Sequence, residues 1–446
     1  MSSSNHVPRQ APDDDRSTST PNRWIVLVGG VLVQLAIGAV YAWSTFAAAF
    51  QSDSSALQLT PVQASLPFQV AIGMIFVGTF IGGRIQDRRG PRVVALTGVV
   101  IYSIGIILSS FARAVGQLWL LALGYGVLSG FGLGLAYIVP IAMLQKWFPD
   151  KAGLITGLAV GGFGFGAVIT SPVAQMLITR DPQTPAAAFL PLGIAYLIAG
   201  VLGALLFKNP PQGYTAPGAG PSSTADESAE ESADTAPAQA RRDFTQREAL
   251  STPQWYLLTA ILGLSVMTGI SLISVAAGSA TNIAGMSAAA AATLVGVLGL
   301  FNGGGRILWA WLSDRIGKMP AFVGILAIQG ACLIAIPHAG TPWLFVLLAA
   351  IIYTCYGGGF GAMPSTAGKF FGVANAGGIY GLMLIAWSIG GVAGPLLTTW
   401  LLGSDRNYTL AFTTIGVIGL VAAIIPLVTK PPAAPRRDGH RATTEP

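Results

Sequence analysis

Arg306 is the one charged residue inside the long apolar segments of this sequence. It follows Asn302 and three glycines in the run 301–309, late in an otherwise apolar helical stretch. An ionisable group at the depth of a bilayer core costs at least about 2.5–3.5 kcal/mol, so it usually faces a polar cavity or an ion path. A buried cation also requires an anionic partner. The position of Arg306 therefore predicts a binding site for a small carboxylate.

The composition describes a membrane protein. Of the 446 residues, 52% are hydrophobic and only 9% are charged, whereas a typical soluble domain carries about 25% charged residues. Apolar runs near or above the ~20 residues that cross a bilayer recur along the chain. We predict twelve transmembrane helices at 24–50, 60–83, 93–111, 116–145, 152–178, 187–207, 254–281, 287–312, 320–338, 341–368, 376–403 and 409–429.

The predicted helices divide into two halves of six, separated by a polar stretch. This stretch contains several prolines and glycines followed by an acidic Ala/Ser-rich segment, which is typical of a solvated, flexible linker. We predict a disordered cytoplasmic tail at 1–22, an N-terminal half at 23–207, a cytoplasmic linker at 208–252, a C-terminal half at 253–430 and a cytoplasmic tail at 431–446.

The distribution of basic residues predicts the orientation. Most of the 24 Lys and Arg residues fall in loops and tails that a twelve-helix topology places on one side, whereas Arg113, Arg180 and Arg406 fall on the other. An excess of Lys and Arg marks the cytoplasmic side. We predict a multi-pass protein of the cell (plasma or inner) membrane with both termini in the cytoplasm. Because the net charge of +6 is confined to loops, it does not predict a nucleic-acid partner.

The two halves repeat each other. Matched features recur at intervals of 223 to 227 residues: the Asp-Arg-x-Gly type motifs at Asp87 and Asp314, the prolines Pro140 and Pro364 with the lysines Lys146 and Lys369 that follow them, and the glycines Gly157 and Gly381. Two parallel six-helix repeats related by an axis along the membrane normal describe the architecture of major facilitator transporters. We therefore predict an all-α membrane protein with twelve transmembrane helices in two pseudo-symmetric halves, the major facilitator fold.

The aspartate motif resembles the cytoplasmic gating motif of that superfamily. A carboxylate at a helix end can pair with basic groups or helix termini of the other half and so hold that side closed. The resemblance implies gating roles in the two repeats for Asp87, Arg88, Arg92, Asp314 and Arg315. The alternative is a simple helix end whose arginines extend to the membrane interface.

Several short runs, taken together, carry a closer resemblance. They are 22–24, 41–46, 135–137, 146–154, 302–306 and 380–381. These runs resemble the oxalate:formate antiporter family, which is related to the monocarboxylate transporters, and the similarity covers nearly all of 22–430 outside the linker.

In that family the arginine of helix 8 binds the substrate carboxylate, so the resemblance gives this role to Arg306. The oxalate carrier pairs it with a lysine in helix 11, where this chain has Trp387. One fixed cation matches one carboxylate, which implies a monocarboxylate such as lactate, pyruvate or formate.

Other polar side chains at a similar depth are further candidates for the site. Arg306 precedes Asp314 by 8 residues, so it lies ~12 Å from the end of its helix and near the middle of a ~30 Å core. Aromatic residues with a polar edge can donate to a hydroxyl or keto oxygen. The candidate substrate-binding residues beside Arg306 are Tyr137, Tyr356, Trp387, Asn302, Gln34 and Tyr41. The alternative for these residues is helix packing, and for Arg306 it is bonding to backbone carbonyls.

No titratable group is predicted at the centre. Every Asp and Glu falls outside the predicted helix interiors, and Asn302 stands where proton-coupled relatives keep a carboxylate beside the arginine. Nothing there titrates in the physiological window. Protons therefore remain a candidate partner only if they travel with the substrate or bind away from the centre.

These observations predict a secondary active transporter that moves a small organic anion through the lipid bilayer by alternating access. The alternatives are an oxalate-type dicarboxylate exchanger, a proton-driven exporter of other solutes and a carboxylate sensor that does not transport. No nucleophile–base set, metal cluster or cofactor motif occurs in or beside the helices, so we predict neither an enzyme nor a cofactor. Both cysteines, Cys332 and Cys355, fall in predicted helices and predict no disulfide. We predict a monomer.

Overall fold

The structure, a computed structural model, describes residues 22–211, 214, 243–403 and 407–433. Within these ranges the chain forms helices and turns and contains no β-strand, which confirms the predicted all-α class. Most of the predicted tails and most of the predicted linker lie outside the described residues, and so does Arg406.

Six long helices form the N-terminal half. Their starts follow from local sequence: the Asn22 side chain accepts a hydrogen bond from the Trp24 backbone, and Thr60 forms a capping box with Gln63. A π-helical turn at Ala122–Ser129 interrupts the fourth helix. The helices are α1 (Arg23–Ala47), α2 (Pro61–Arg89), α3 (Pro91–Ser109), α4 (Leu118–Trp147), α5 (Ala152–Arg180) and α6 (Phe189–Leu205).

Six further helices form the C-terminal half. A short helix at Gln246–Leu250 precedes them, and the side chain of Ser287 caps the helix that carries Arg306. The long helices are α7 (Pro253–Ala284), α8 (Ala288–Ile316), α9 (Lys318–Ala335), α10 (Pro342–Phe371), α11 (Ala376–Leu402) and α12 (Tyr408–Val428).

Eleven segments of the described chain are long and apolar enough to cross a membrane. They correspond to every long helix except α8. Helix α8 spans 29 residues, but it carries Asn302, Arg306 and the charged pair Asp314 and Arg315 in its second half. That α8 crosses the membrane therefore stays a prediction, and so does the count of twelve membrane-spanning helices. Helix α8 packs inside the bundle against α5 and α10.

Helices α2 and α8 end later than predicted. Their last turns reach Arg89 and Ile316, so that Asp87 and Asp314 lie inside helices rather than in loops. Both helices stop at a glycine with positive φ, +85° at Gly90 and +95° at Gly317, a conformation that glycine adopts without a steric penalty. The repeat thus extends to the helix ends. We call the end of the bundle that holds Asp87 and Asp314 the aspartate end.

The two halves meet mainly where α5 packs on α8 and α2 packs on α11. Within the C-terminal half, α8 and α10 approach each other closely because glycines face the neighbouring backbone. A Cβ atom added to Gly305 would lie 2.1 Å from the Thr354 carbonyl oxygen, and one added to Gly361 would lie 2.0 Å from the Arg306 carbonyl oxygen. Small residues at such positions allow membrane helices to pack backbone to backbone.

We expect Gly305→Ala to destabilise the protein by about 1–3 kcal/mol, the usual effect of forcing a methyl group into a packed interface. Gly304→Ala is the matched control, because nothing lies within 4 Å of a Cβ added there. Thermal unfolding of the purified protein in detergent measures the difference. Equal melting temperatures for the two variants would contradict the close packing of α8 on α10.

Candidate functional site

Arg306 lies on α8 at the interface between the two halves, with no exposed surface. Its Nε donates to the Asn302 side-chain oxygen at 3.3 Å, and its Nη1 donates to the Val160 carbonyl oxygen on α5 at 3.4 Å. The guanidinium carbon lies 5.2 Å from the ring centre of Phe163 and 4.9 Å from that of Phe360. These aromatic faces stabilise a cation. Arg306 is thus held by residues of both halves.

Glycines allow this arrangement. A Cβ atom added to Gly164 of α5 would lie 2.6 Å from the Cα of Gly303 on α8, and 3.6 Å from the Arg306 Nε. Helices α5 and α8 therefore touch through their backbones directly beside the guanidinium. This close approach brings the carbonyl of Val160 within reach of Arg306.

The third guanidinium nitrogen, Nη2, is buried and makes no hydrogen bond of normal geometry. Among the buried neutral donors that also lack such a bond, three belong to Tyr137 and its neighbours: the hydroxyls of Tyr137 and Tyr380 and the indole N–H of Trp387. The Tyr137 ring centre lies 5.5 Å from that of Trp387, and Arg306 and Tyr380 lie near its hydroxyl. An unpaired buried donor costs about 1–3 kcal/mol. The arrangement therefore presents several hydrogen-bond donors, one of them charged, to an oxygen acceptor.

The other predicted site residues surround the same region. The hydroxyls of Tyr41 and Tyr356 lie 3.4 Å apart and connect α1 with α10. The Gln34 amide donates to the Tyr137 carbonyl oxygen at 3.2 Å, and its own oxygen is buried without a partner. The structure thus brings Gln34, Tyr41 and Tyr356 to the neighbourhood of Arg306, together with Asn302, Tyr137 and Trp387.

Three residues of this region were not among the predicted ones. Phe163 and Phe360 flank the guanidinium, and Tyr380 contributes an unpaired hydroxyl. The internal repeat carried a signal for the two phenylalanines, because Phe360 follows Tyr137 by 223 residues and Trp387 follows Phe163 by 224. Two equivalent pairs of aromatic residues thus surround Arg306. Tyr380 appeared in the sequence only as part of a family motif.

The two aspartates of the repeated motif bind the opposite half. The Gly378 backbone N–H, in the first turn of α11, donates to Asp87 at 2.8 Å. The Leu154 backbone N–H, in the first turn of α5, donates to Asp314 at 3.0 Å. Free N–H groups and the helix dipole make a helix N-terminus a favourable partner for a carboxylate. Two equivalent contacts therefore close the aspartate end.

The arginines predicted beside these aspartates do not reach across. Arg92 donates through Nε to the Phe207 carbonyl oxygen of its own half at 3.2 Å. The Arg315 guanidinium stacks 4.1 Å from the Trp311 ring centre of its own helix, and Arg88 is exposed. Because the helix N-termini already supply the partners of the carboxylates, these cations can face the surface.

No group of three or more His, Cys, Asp and Glu residues in the described chain is arranged to hold a metal ion. Cys332 and Cys355 are both buried with free thiols. The polar groups described around Arg306 are this cation, neutral hydrogen-bond donors and neutral acceptors such as the Gln34 side-chain oxygen.

Comparison with other proteins agrees with the fold and the resemblance. The family model of the Major Facilitator Superfamily matches residues 32–395. The crystal structure of FucP, a transporter of this superfamily in the outward conformation, superimposes with a TM-score of 0.66 at 17% sequence identity, covering 91% of this chain and 98% of its own.

Relatives by sequence carry names of organic-anion carriers. The oxalate:formate antiporter of Oxalobacter formigenes is 27% identical over 370 residues, covering 82% of this chain and 81% of its own. Apicoplast pyruvate carrier 1 of Toxoplasma gondii is 26% identical, covering 92% and 91%, and monocarboxylate transporter 12 of Rattus norvegicus is 24% identical, covering 77% and 73%. The resemblance to these two groups of carriers is confirmed, and the chain belongs to the Major Facilitator Superfamily.

Proposed function

We propose that this transporter moves small monocarboxylates by alternating access and that Arg306 binds the carboxylate. The observation that carries the proposal is the Nη2 atom of Arg306, which is buried between the halves without a hydrogen bond of normal geometry. A guanidinium fork matches a carboxylate with two parallel hydrogen bonds. An arriving anion would complete these bonds and neutralise the buried charge. Binding would thereby favour the conformation in which both halves contact Arg306.

A single fixed charge favours a mono-anion over a dianion. Among the described residues, Arg306 is the only Lys or Arg that is buried, and Trp387 occupies the place of the second cation of the oxalate carrier. A second carboxylate would therefore enter a low-dielectric site without compensation. The names of the pyruvate carrier and of the monocarboxylate transporter support this class, whereas the name of the oxalate:formate antiporter supports the alternative of dicarboxylate exchange.

The neutral donors favour a substrate with an oxygen beside its carboxylate. The Tyr137 and Tyr380 hydroxyls and the Trp387 indole N–H, which lack hydrogen bonds of normal geometry, can all donate, so an additional acceptor oxygen suits this region. Lactate and pyruvate offer a hydroxyl or keto oxygen on the carbon next to the carboxylate, and formate offers none. We infer that acids of the lactate and pyruvate type bind more tightly than formate.

The aspartate contacts would form the gate of the transport cycle. Opening the aspartate end separates Asp87 from α11 and Asp314 from α5, so both hydrogen bonds must break together. From the distribution of Lys and Arg, we place this end in the cytoplasm of a cell-membrane protein whose termini lie on the same side. We also propose that the monomer is the transporting unit, because each chain contains both halves.

We expect Arg306→Ala to abolish uptake of a labelled monocarboxylate into proteoliposomes. Arg306→Lys should lose most of the activity, because an ammonium group cannot form the bidentate pair. Arg180→Ala, at the exposed end of α5, is the matched control and should transport normally. Unlabelled lactate and pyruvate should compete with the label, and oxalate should not. Near-normal uptake by the alanine variant would reject the site.

We expect Tyr137→Phe and Tyr380→Phe to raise KM for lactate or pyruvate by about 3- to 10-fold each, the equivalent of one hydrogen bond. The same variants should leave KM for formate unchanged, because formate has no oxygen beyond the carboxylate that Arg306 would bind. Tyr256→Phe is the control, since this tyrosine is exposed. Equal effects on all three acids would show that the hydroxyls support packing rather than selection.

We expect transport without obligatory proton movement through a side chain at the centre. Among the described residues, Arg306 contacts Asn302, the Val160 carbonyl and the side chains of phenylalanines and tyrosines, and no Asp, Glu or His. Counterflow in proteoliposomes, with and without a pH gradient, tests this and also separates a carrier from a sensor. Proton movement that is strictly coupled and is abolished by one substitution within a helix would contradict the expectation.

A further inference from the structure

The end of the predicted linker is packed against the aspartate end. We call residues 243–250 the connector segment. Thr245 and Glu248 form a capping box that starts the helix Gln246–Leu250, which gives the segment a defined shape. Because the segment leads directly into α7, it belongs to the C-terminal half.

Backbone and side-chain contacts fix the connector segment on the turn between α10 and α11. The Ala374 N–H donates to Asp243 at 2.7 Å, and the Phe244 N–H donates to the Phe371 carbonyl oxygen at 2.9 Å. The Asn375 amide donates to the Phe244 carbonyl oxygen at 2.8 Å. These bonds join the first two residues of the segment to Phe371, Ala374 and Asn375. The segment is therefore docked rather than merely tethered.

Gln246 extends this docking to the other half. Its Nε2 donates to the Gly378 carbonyl oxygen of α11 at 2.8 Å, and its Oε1 accepts from the Arg84 Nε of α2 at 2.7 Å. Arg84 is held in place by the Phe80 ring, 4.1 Å from its guanidinium carbon. The side chain of Gln246 thus connects α2 and α11 by one hydrogen bond at each end.

The same glycine is the partner of the gate aspartate. Gly378 donates its N–H to Asp87 and offers its carbonyl oxygen to Gln246, so both of its backbone polar groups are bound. Asp87 and Arg84 lie one turn apart on α2 and face the same neighbours.

We propose that the connector segment is a working part of the gate and that Gln246 is a positioning residue that favours the closed aspartate end. Opening this end moves α2 away from α11, which breaks the bond between Arg84 and Gln246 together with the Asp87 contact. A glutamine suits this place because its amide both donates and accepts. The inference rests on the proposed alternating access, but it concerns the gate and not the carboxylate site.

Alkylation of a buried reporter cysteine tests this. Gln145 is almost fully buried on α4 and faces α10, since a Cβ atom added to Gly368 would lie 2.3 Å from its side-chain oxygen. Gln145→Cys is introduced with Cys332→Ala and Cys355→Ala, and the purified protein is exposed to a maleimide in detergent. Modification then reports how often the halves separate at the aspartate end.

We expect Gln246→Ala to raise the alkylation rate by about 5- to 30-fold, because two hydrogen bonds that favour the closed state are lost. Gln246→Glu keeps the pairing with Arg84 but cannot donate to Gly378, so its rate should be intermediate. Arg84→Ala should also raise the rate, and combining it with Gln246→Ala should add nothing. Arg247→Ala, on the exposed side of the same short helix, should match the parent protein.

Equal alkylation rates for Gln246→Ala and Arg247→Ala would overturn the proposal, and so would fully additive effects of the Arg84 and Gln246 substitutions. Because the reporter needs no substrate, the result is independent of the carboxylate site. Normal uptake by Arg306→Ala would reject that site and leave the alkylation comparison valid.

Discussion

The burial of Arg306 between the two halves constrains the rest of the structure. A guanidinium without exposed surface needs hydrogen-bond acceptors and aromatic faces in place of water. In this chain, several helices supply them. Val160 and Phe163 belong to α5 of the N-terminal half, whereas Asn302 and Phe360 belong to α8 and α10 of the C-terminal half. A rocking motion of the halves must therefore change the surroundings of the charge. If Arg306 binds the substrate as proposed, binding and conformational change are linked at this residue by geometry.

At the aspartate end, too, groups of one half bind groups of the other, but the interaction free energies are smaller. Asp87 and Asp314 each bind backbone N–H groups at a helix N-terminus of the opposite half. A Cβ atom added to Gly153 would lie 2.2 Å from Asp314, so the close approach of that carboxylate depends on a glycine. A few hydrogen bonds near the surface hold the halves together there, and bonds of this kind contribute about 0.5–1.5 kcal/mol each, or more with a charged partner. Such an end can close firmly and still open repeatedly.

Much of this structure could be predicted from the sequence because composition and repetition are strong signals in a membrane protein. The long apolar runs indicated the helices, and the interval between Asp87 and Asp314 indicated two equivalent halves. Phe163 and Phe360 were not predicted as site residues, because a phenylalanine in an apolar helix carries no signal by itself. The partner of the Arg92 side chain was not predicted either, since a motif does not tell which neighbour a flexible side chain will bind. The docked connector segment had a local signal, the Thr245 and Glu248 capping box, but the surrounding composition indicated a linker.

The lone charge of Arg306 has an electrical consequence if it binds a mono-anion as proposed. The occupied centre is then neutral, so its reorientation moves no net charge through the membrane field. The vacant centre carries one elementary charge, for which a potential of 100 mV corresponds to about 2.3 kcal/mol per full crossing. A membrane voltage would therefore act on the return of the unloaded carrier and leave the loaded step nearly untouched.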